Sequence, residues 1–167
     1  MAKMKLVNEG AASFDTVKGY IKKTQFFSDL EDTDAENLAN WVKVYSAEAG
    51  SNIFTEGSTD ASLCFIAEGE VAIFKETSPS EFLKIADVIA GGTIGEMAII
   101  DGRPLSASAI ASKDSKVLMI TRNDFDKLVK ENSNLAVKLL WRIAQIISLR
   151  LRQTTGLLAE ISLSQAT

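Results

Sequence analysis

Residues 91–108 carry the side chains and backbone positions with the clearest capacity for chemistry. Gly91 and Gly92 open the stretch, and Gly95 leads into a short apolar segment from Glu96 to Ile100. Asp101 and Gly102 close that segment, and Pro104, Ser106 and Ser108 begin a strand-like run. A glycine that delivers the chain into a short helix leaves the first N–H groups of that helix unpaired and turned towards an anion. Gly95 would let the backbone approach a ligand closely or take a positive φ. The same spacing fits an ordinary turn between two strands, because one glycine-rich turn is a weak signal.

Other chemistries are easier to exclude. The 167 residues contain no histidine, so there is no Ser-His-Asp triad, no Cys-His pair and no His-ligated metal; no metal site is expected. Cys64, the single cysteine, lies in an apolar run with no basic neighbour, which reads as core and not as a nucleophile. It cannot form an intrachain disulfide, so a reducing, cytoplasmic setting is the expectation. A net charge of −4 gives no electrostatic footprint for nucleic acid. The first fifteen residues lack the apolar core of a secretory signal, and no apolar run is long enough to span a membrane.

The elements that must position residues 91–108 can be read from periodicity. A length of 167 residues suits one domain with short attachments. Residues 13–24 form a helix pattern with Phe14, Val17, Tyr20 and Ile21 on one face. Thr33 and Glu36 have capping-box spacing ahead of Leu38 and Trp41, so residues 1–41 read as an N-terminal helical segment. Residues 42–121 are short β-type runs at 42–47, 52–54, 62–68, 71–76, 82–88, 106–112 and 116–120. Gly50, Gly57 and Gly69 fall in the breaks, and residues 77–80 with their proline read as a hairpin loop. Seven short strands at this spacing imply an antiparallel barrel or jelly roll. Thr121 and Asp124 then form a second cap, and residues 122–167 are helical apart from a break at 132–134. The long helix begins at Leu135, carries an apolar stripe through Leu139, Ile143, Ile147 and Leu151, and should end at Gly156. Arg142, Arg150 and Arg152 lie on or near its flanks.

In this order the chain resembles the cyclic-nucleotide-binding domain family, which includes catabolite-activator-type regulators, kinase regulatory subunits and nucleotide-gated channels. Residues 25–30 (Gln-Phe-Phe-Ser-Asp-Leu) are similar to its leading helical turn, and residues 49–57 to its early glycine-turn strand. Residues 63–71, Leu-Cys-Phe-Ile-Ala-Glu-Gly-Glu-Val, resemble its central hairpin. Ile94 to Ala98, with Pro104, Ser106 and Ala107, resemble its phosphate-binding cassette, here residues 92–108. The resemblance implies an α+β fold: an antiparallel jelly-roll barrel with N-terminal helices, a short cassette helix and a long C-terminal helix.

It also implies site residues. Glu96 takes the place of the glutamate that accepts a hydrogen bond from a ribose hydroxyl, and its alternative is a carboxylate that merely complements a helix dipole. Gly95, Met97 and Ala98 would contact the sugar and phosphate through backbone, Ser106 would donate its hydroxyl to the phosphate, and Leu105 and Ala107 complete the ligand-binding positions. The implied ligand is cAMP or cGMP. One position departs from the pattern: where the family has an arginine that pairs with the cyclic phosphate, this chain has Leu105. Losing a charge-assisted hydrogen bond of about 1.5–3 kcal/mol should weaken binding roughly ten- to a few-hundred-fold. Arg103 is a rescue candidate, although its place before Pro104 biases it towards an extended loop and solvent. Trp141 could stack on a base from the long helix, or serve core or dimer packing instead.

The resemblance therefore implies a regulatory, non-enzymatic sensor in which the long helix lids the pocket and, over residues 135–155, forms a homodimer. The alternative on the same fold is a dimeric interaction or scaffold protein with a degenerate pocket. An effector protein is an expected partner, and a membrane is not. About a dozen residues follow Thr155, too few for a helix-turn-helix reader, so direct DNA binding is not expected.

Overall fold

A computed structural model of the chain describes residues 4–7 and 13–165. Two antiparallel sheets make a jelly roll. The first has the strand order β1 (Met4–Leu6), β2 (Lys43–Ala47), β9 (Ser115–Thr121), β4 (Ser62–Glu68), β7 (Thr93–Ile94). The second runs β3 (Asn52–Phe54), β8 (Ser108–Ala111), β5 (Glu70–Ser78), β6 (Glu81–Ile89). The helices are α1 (Ser13–Lys23), α2 (Asp32–Ala39), α3 (Glu96–Asp101), α4 (Arg122–Glu131) and α5 (Ser133–Gln165), with a 3-10 turn at Gln25–Phe27.

β4 explains how the layers stack. Residues 62–66 are all buried, because alternate side chains serve two different cores. Leu63 and Phe65 point to the helical layer, where they meet Val17, Ile21, Leu38, Leu139 and Ile143. Cys64 and Ile66 point between the sheets, with Phe54, Val71, Ile94, Leu105 and Val117. Phe65 sits with its ring centroid 4.6 Å from both Phe26 and Phe27, so the 3-10 turn is pinned to the sheet by aromatic contacts. Cys64 is fully buried, and burial, with the nearby Glu96 charge, pushes its thiol pKa far up; it packs as core.

Most strand boundaries match the periodicity, and the differences have local causes. α2 begins at Asp32 with Glu31 as its N-cap and no side-chain cap bond, so the capping box expected at Thr33 does not form. The cap at Thr121 does: its Oγ1 accepts from the Asp124 N–H at 3.1 Å and donates to the Asp124 carboxylate at 2.8 Å. The chain turns between β5 and β6 at Pro79 and Ser80, Ser80 at φ +68°. β1 and β7, of three and two residues, are too short to show a period of two, and β1 interrupts the region read as purely helical. Residues 1–3 and 8–12 of the stretch read for a signal, and 166–167 of the tail, lie outside the described residues. The expected strand at 106–112 is confined to Ser108–Ala111.

α5 differs most from expectation. It runs 33 residues, from Ser133, with the Leu135 N–H donating to Asn132 Oδ1 at its start, straight through Gly156. A mid-helix glycine costs about 1 kcal/mol relative to alanine. That is too little to stop a helix whose next residues, Leu157, Leu158, Ala159 and Glu160, are all good helix formers.

Candidate functional site

The cassette loop is held between the two sheets. β7 pairs with β4 through Cys64–Ile94 and Phe65–Thr93, which brings Gly95 against the start of β4. Gly95 is the N-cap of α3 at φ +86°, and a Cβ there would collide with the Ser62 carbonyl oxygen. The glycine is therefore required by backbone conformation and by the neighbouring strand, whatever ligand the site takes. At the other end of α3, Gly102 at φ +68° is the C-cap, and Arg122 Nη1 donates to the Ala98 carbonyl at 3.1 Å. The downstream arm is tied back by two backbone hydrogen bonds: Leu105 N–H to Ser58 O at 2.9 Å and Gly57 N–H to Leu105 O at 2.8 Å.

A cavity of about 370 Å³ opens over this loop. Gly95, Glu96, Met97, Ala98, Leu105, Ser106 and Ala107 all line it, so seven of the nine candidate site residues meet there. Phe54, Ile73, Ile94 and Ala109 close it from the barrel, and Ile147, Arg150, Leu151 and Thr154 close it from α5. Leu105 is 5% exposed and packs with Phe54, Ile94 and Ala98, so the position opposite Glu96's loop is apolar. Ser106 is exposed, its hydroxyl 3.9 Å from Met97 Sδ.

Glu96 is the buried charge of the site, 3% exposed. Arg150 Nη1 donates to both of its oxygens at 2.9 Å, and Arg150 Nη2 donates to the Thr93 carbonyl at 2.6 Å. Thr93 Oγ1 donates to Glu96 Oε1. One guanidinium thus bridges the side chain and the backbone at the two ends of the cassette turn. Burying a carboxylate alone would be costly, and this pair with its extra hydrogen bonds is what allows it.

Two expected residues are elsewhere. Arg103 is exposed and does not line the cavity; its N–H donates to Asp101 Oδ1 at 2.9 Å, which fixes the turn before Pro104. Trp141 is 68% exposed on the outer face of α5, beside Ala144, Gln145, Ser148 and Arg152, and does not reach the cassette. Trp141 is therefore not placed to stack on a base in this cavity. The residue that does reach in is Arg150. The sequence carries a partial signal, since it lies seven residues after Ile143 and three after Ile147, at the edge of the apolar stripe, but nothing local names its partner.

This arrangement of cassette, cavity and covering helix has relatives. The model of the cyclic nucleotide-binding domain matches residues 45–132, more than half of the chain. The chain belongs to the cyclic nucleotide-binding domain family. It is 29% identical over 146 residues to a cyclic AMP receptor protein of Thermus thermophilus, a match covering 87% of this chain and 66% of the relative. It is 25% identical over 112 residues to a cAMP-dependent protein kinase regulatory subunit of Aspergillus fumigatus, covering 67% of this chain and 26% of that subunit. The chain thus spans about a quarter of one relative's length and just under two thirds of the other's. The crystal structure of a cyclic nucleotide-binding domain from Methylobacillus flagellatus superposes with a TM-score of 0.77 at 28% identity, covering 92% of this chain and 86% of that one. As a cyclic nucleotide-binding domain, this chain has the family's jelly roll and long C-terminal helix. Among the described residues no helix is long and apolar enough to cross a membrane, and no cluster of three or more His, Cys, Asp or Glu could hold a metal ion.

Proposed function

We propose that the chain is a non-enzymatic regulatory domain that senses a ligand in the cassette cavity and passes the signal to α5. The Arg150–Glu96 pair carries this reading, because it makes the position of the long helix depend on what the cassette carboxylate binds. A ligand hydroxyl that engages Glu96 must share the carboxylate with Arg150 or displace it. Either outcome biases α5 towards one of two arrangements, which is how a ligand with unequal affinity for two states shifts their populations.

Cyclic AMP and cyclic GMP are the reference ligands for this family's cavity, with Glu96 accepting from the ribose and Ser106 donating to the phosphate. Leu105, in the place of the phosphate-pairing arginine, should weaken either nucleotide roughly ten- to a few-hundred-fold, the value of one charge-assisted hydrogen bond. Arg103 gives no compensation from its exposed position. Calorimetric titration with both cyclic nucleotides, on the wild type and on Leu105→Arg, tests the reading. Wild-type heat that Glu96→Ala abolishes and Leu105→Arg enhances supports it.

The buried Leu105 also favours a second reading, in which the domain works as a ligand-free dimeric scaffold. Absence of binding by the wild type, with binding regained by Leu105→Arg, would select it. On either reading α5 is the homodimer element, an effector protein receives the signal, and the free, buried Cys64 suits a cytoplasmic setting.

A further inference from the structure

The charged side chains that line the cavity cancel. Glu96 contributes one negative charge and Arg150 one positive, and the two are hydrogen-bonded to each other. Two further cations touch the cassette backbone, Lys75 at the Ser106 carbonyl (2.9 Å), where it also pairs with Glu56, and Arg122 at the Ala98 carbonyl (3.1 Å), but neither lines the cavity. A cyclic phosphodiester would therefore meet no spare side-chain cation, only the N-terminus of a helix of six residues, and would bring its charge against Leu105 and Phe54, where desolvation penalises it.

We propose that the preferred ligand of this cavity is an uncharged nucleoside, a planar base on a hydroxylated sugar, and not the cyclic phosphate of one. The inference rests on the ligand-sensing reading above and narrows its ligand class. Hydrogen-bond capacity accounts for the hydroxylated sugar. A carboxylate has about four acceptor positions. Glu96 spends three, two on Arg150 and one on Thr93, and keeps one. A guanidinium has five N–H donors. Arg150 uses three, towards the two Glu96 oxygens and the Thr93 carbonyl, and the other two have no partner among the described residues.

An acceptor position beside free donors complements a sugar hydroxyl, which both gives and takes a hydrogen bond; a nucleoside and its cyclic phosphate both carry one, and it is the charge balance that separates them. The remaining wall is apolar, with Ile73, Ile94 and Leu151 available to a base face and the Thr154 hydroxyl at the α5 side. A volume of about 370 Å³ lies in the small-molecule range of roughly 300–1,000 Å³.

Titration calorimetry with adenosine, guanosine, 2′-deoxyadenosine, cyclic AMP and cyclic GMP decides the matter on the wild type. The expected result is that a ribonucleoside binds about ten- to a hundredfold more tightly than the cyclic phosphate of the same base, the reverse of an arginine-bearing site. The deoxynucleoside should lose most of that affinity, and Leu105→Arg should reverse the ranking while the volume-conserving Leu105→Met keeps it. Tighter binding of cyclic AMP or cyclic GMP by the wild type would overturn this inference and leave the sensor reading standing. Binding of none of the five by a folded wild type would overturn both. If Leu105→Arg does not fold, the wild-type ranking alone distinguishes these outcomes.

Discussion

Arg150 Nη1 lies 2.9 Å from both carboxylate oxygens of Glu96, joining positions 54 residues apart in the chain. The carboxylate is buried and the arginine is not: their side chains are 4% and 43% exposed. Removing the arginine therefore strands a buried charge, whereas removing the carboxylate releases an arginine that can hydrate. Arg150→Met should cost about 1–3 kcal/mol of stability, below the 3–5 of a fully buried pair because Arg150 is partly solvated. Glu96→Gln should cost less, and the double variant should lose less than the sum of the two. Urea unfolding of the four proteins measures this, and strict additivity would show that the pair contributes nothing.

Two glycines should respond to alanine with opposite signs. Gly95 is at φ +86° with the Ser62 carbonyl in the way of a Cβ. Gly156 lies in the exposed half of α5 with nothing within 4 Å of a built Cβ. Gly95→Ala should destabilise by about 1–3 kcal/mol, the cost of a strained left-handed residue, before any shift of β4 is added. Gly156→Ala should stabilise by roughly 0.5–1 kcal/mol, the helix-propensity difference. Thermal unfolding distinguishes them, and two changes of the same sign would refute the account.

The same two residues show how far the sequence is legible. Gly95 is recognisable as a cassette glycine because it has neighbours in register, from Gly57 to Pro104, and the register of a jelly roll is written in such turns. Its cause is not legible, since the Ser62 carbonyl that forbids a side chain comes from a strand more than thirty residues earlier. Gly156 misleads for the converse reason: a terminator is a local signal, and only the surrounding helix formers reveal that it is overridden. Arg150 reads as a flank residue because no local rule says that a long helix will fold back over a loop 54 residues away. Pairing across layers is a tertiary fact, and the stripe on which Arg150 falls predicts burial but not the partner.

Arg103 offers a negative control for the site. It is exposed, outside the cavity, and engaged through its backbone with Asp101. Arg103→Ala should leave the affinity for any nucleotide or nucleoside unchanged within error by calorimetry. A clear loss would mean that the loop rearranges to bring this guanidinium to the ligand.

Acid should loosen the barrel at two carboxylates. Glu56 is held below its ordinary value first by the Glu76 N–H, at 3.0 Å, and then by Lys75. Glu70 is held down first by Lys113, at 2.6 Å, with Ser112 adding a hydrogen bond. A depressed folded-state pKa means that the stabilisation is complete above the unfolded value, about 4.3 for glutamate, and is lost as pH falls through the lower folded value. The melting temperature should therefore fall as pH drops from about 4.3 through the lower folded values, and Glu56→Gln with Glu70→Gln should flatten the decline while lowering the plateau. An unchanged slope in the double variant would assign acid sensitivity to other carboxylates.

The last prediction concerns the far half of α5. Residues 151–164 are all exposed, and Leu151, Leu157, Leu158, Ile161 and Leu163 are each more than half accessible. An isolated helical extension of this length is marginal in water, so we expect this one to pack on a partner surface. Val137, Trp141, Ala144, Ser148, Leu151, Thr155, Leu158 and Ser162 follow one another in alternating steps of four and three, all on exposed positions. That is the spacing of a coiled-coil seam, with Ser148, Thr155 and Ser162 as its polar positions, and we expect it to be used as one. Its Ala, Ser and Thr positions would let two helices approach closely around Trp141 and Leu158. A second copy of the chain satisfies all of this with one isologous contact. Sedimentation should give a dimer for the wild type and a monomer for Trp141→Glu with Leu158→Glu. The monomeric variant should also lose helical circular dichroism from the extension while its jelly roll still melts cooperatively. A wild-type monomer with the extension fully helical would sink the proposal, since α5 would then stand without any partner.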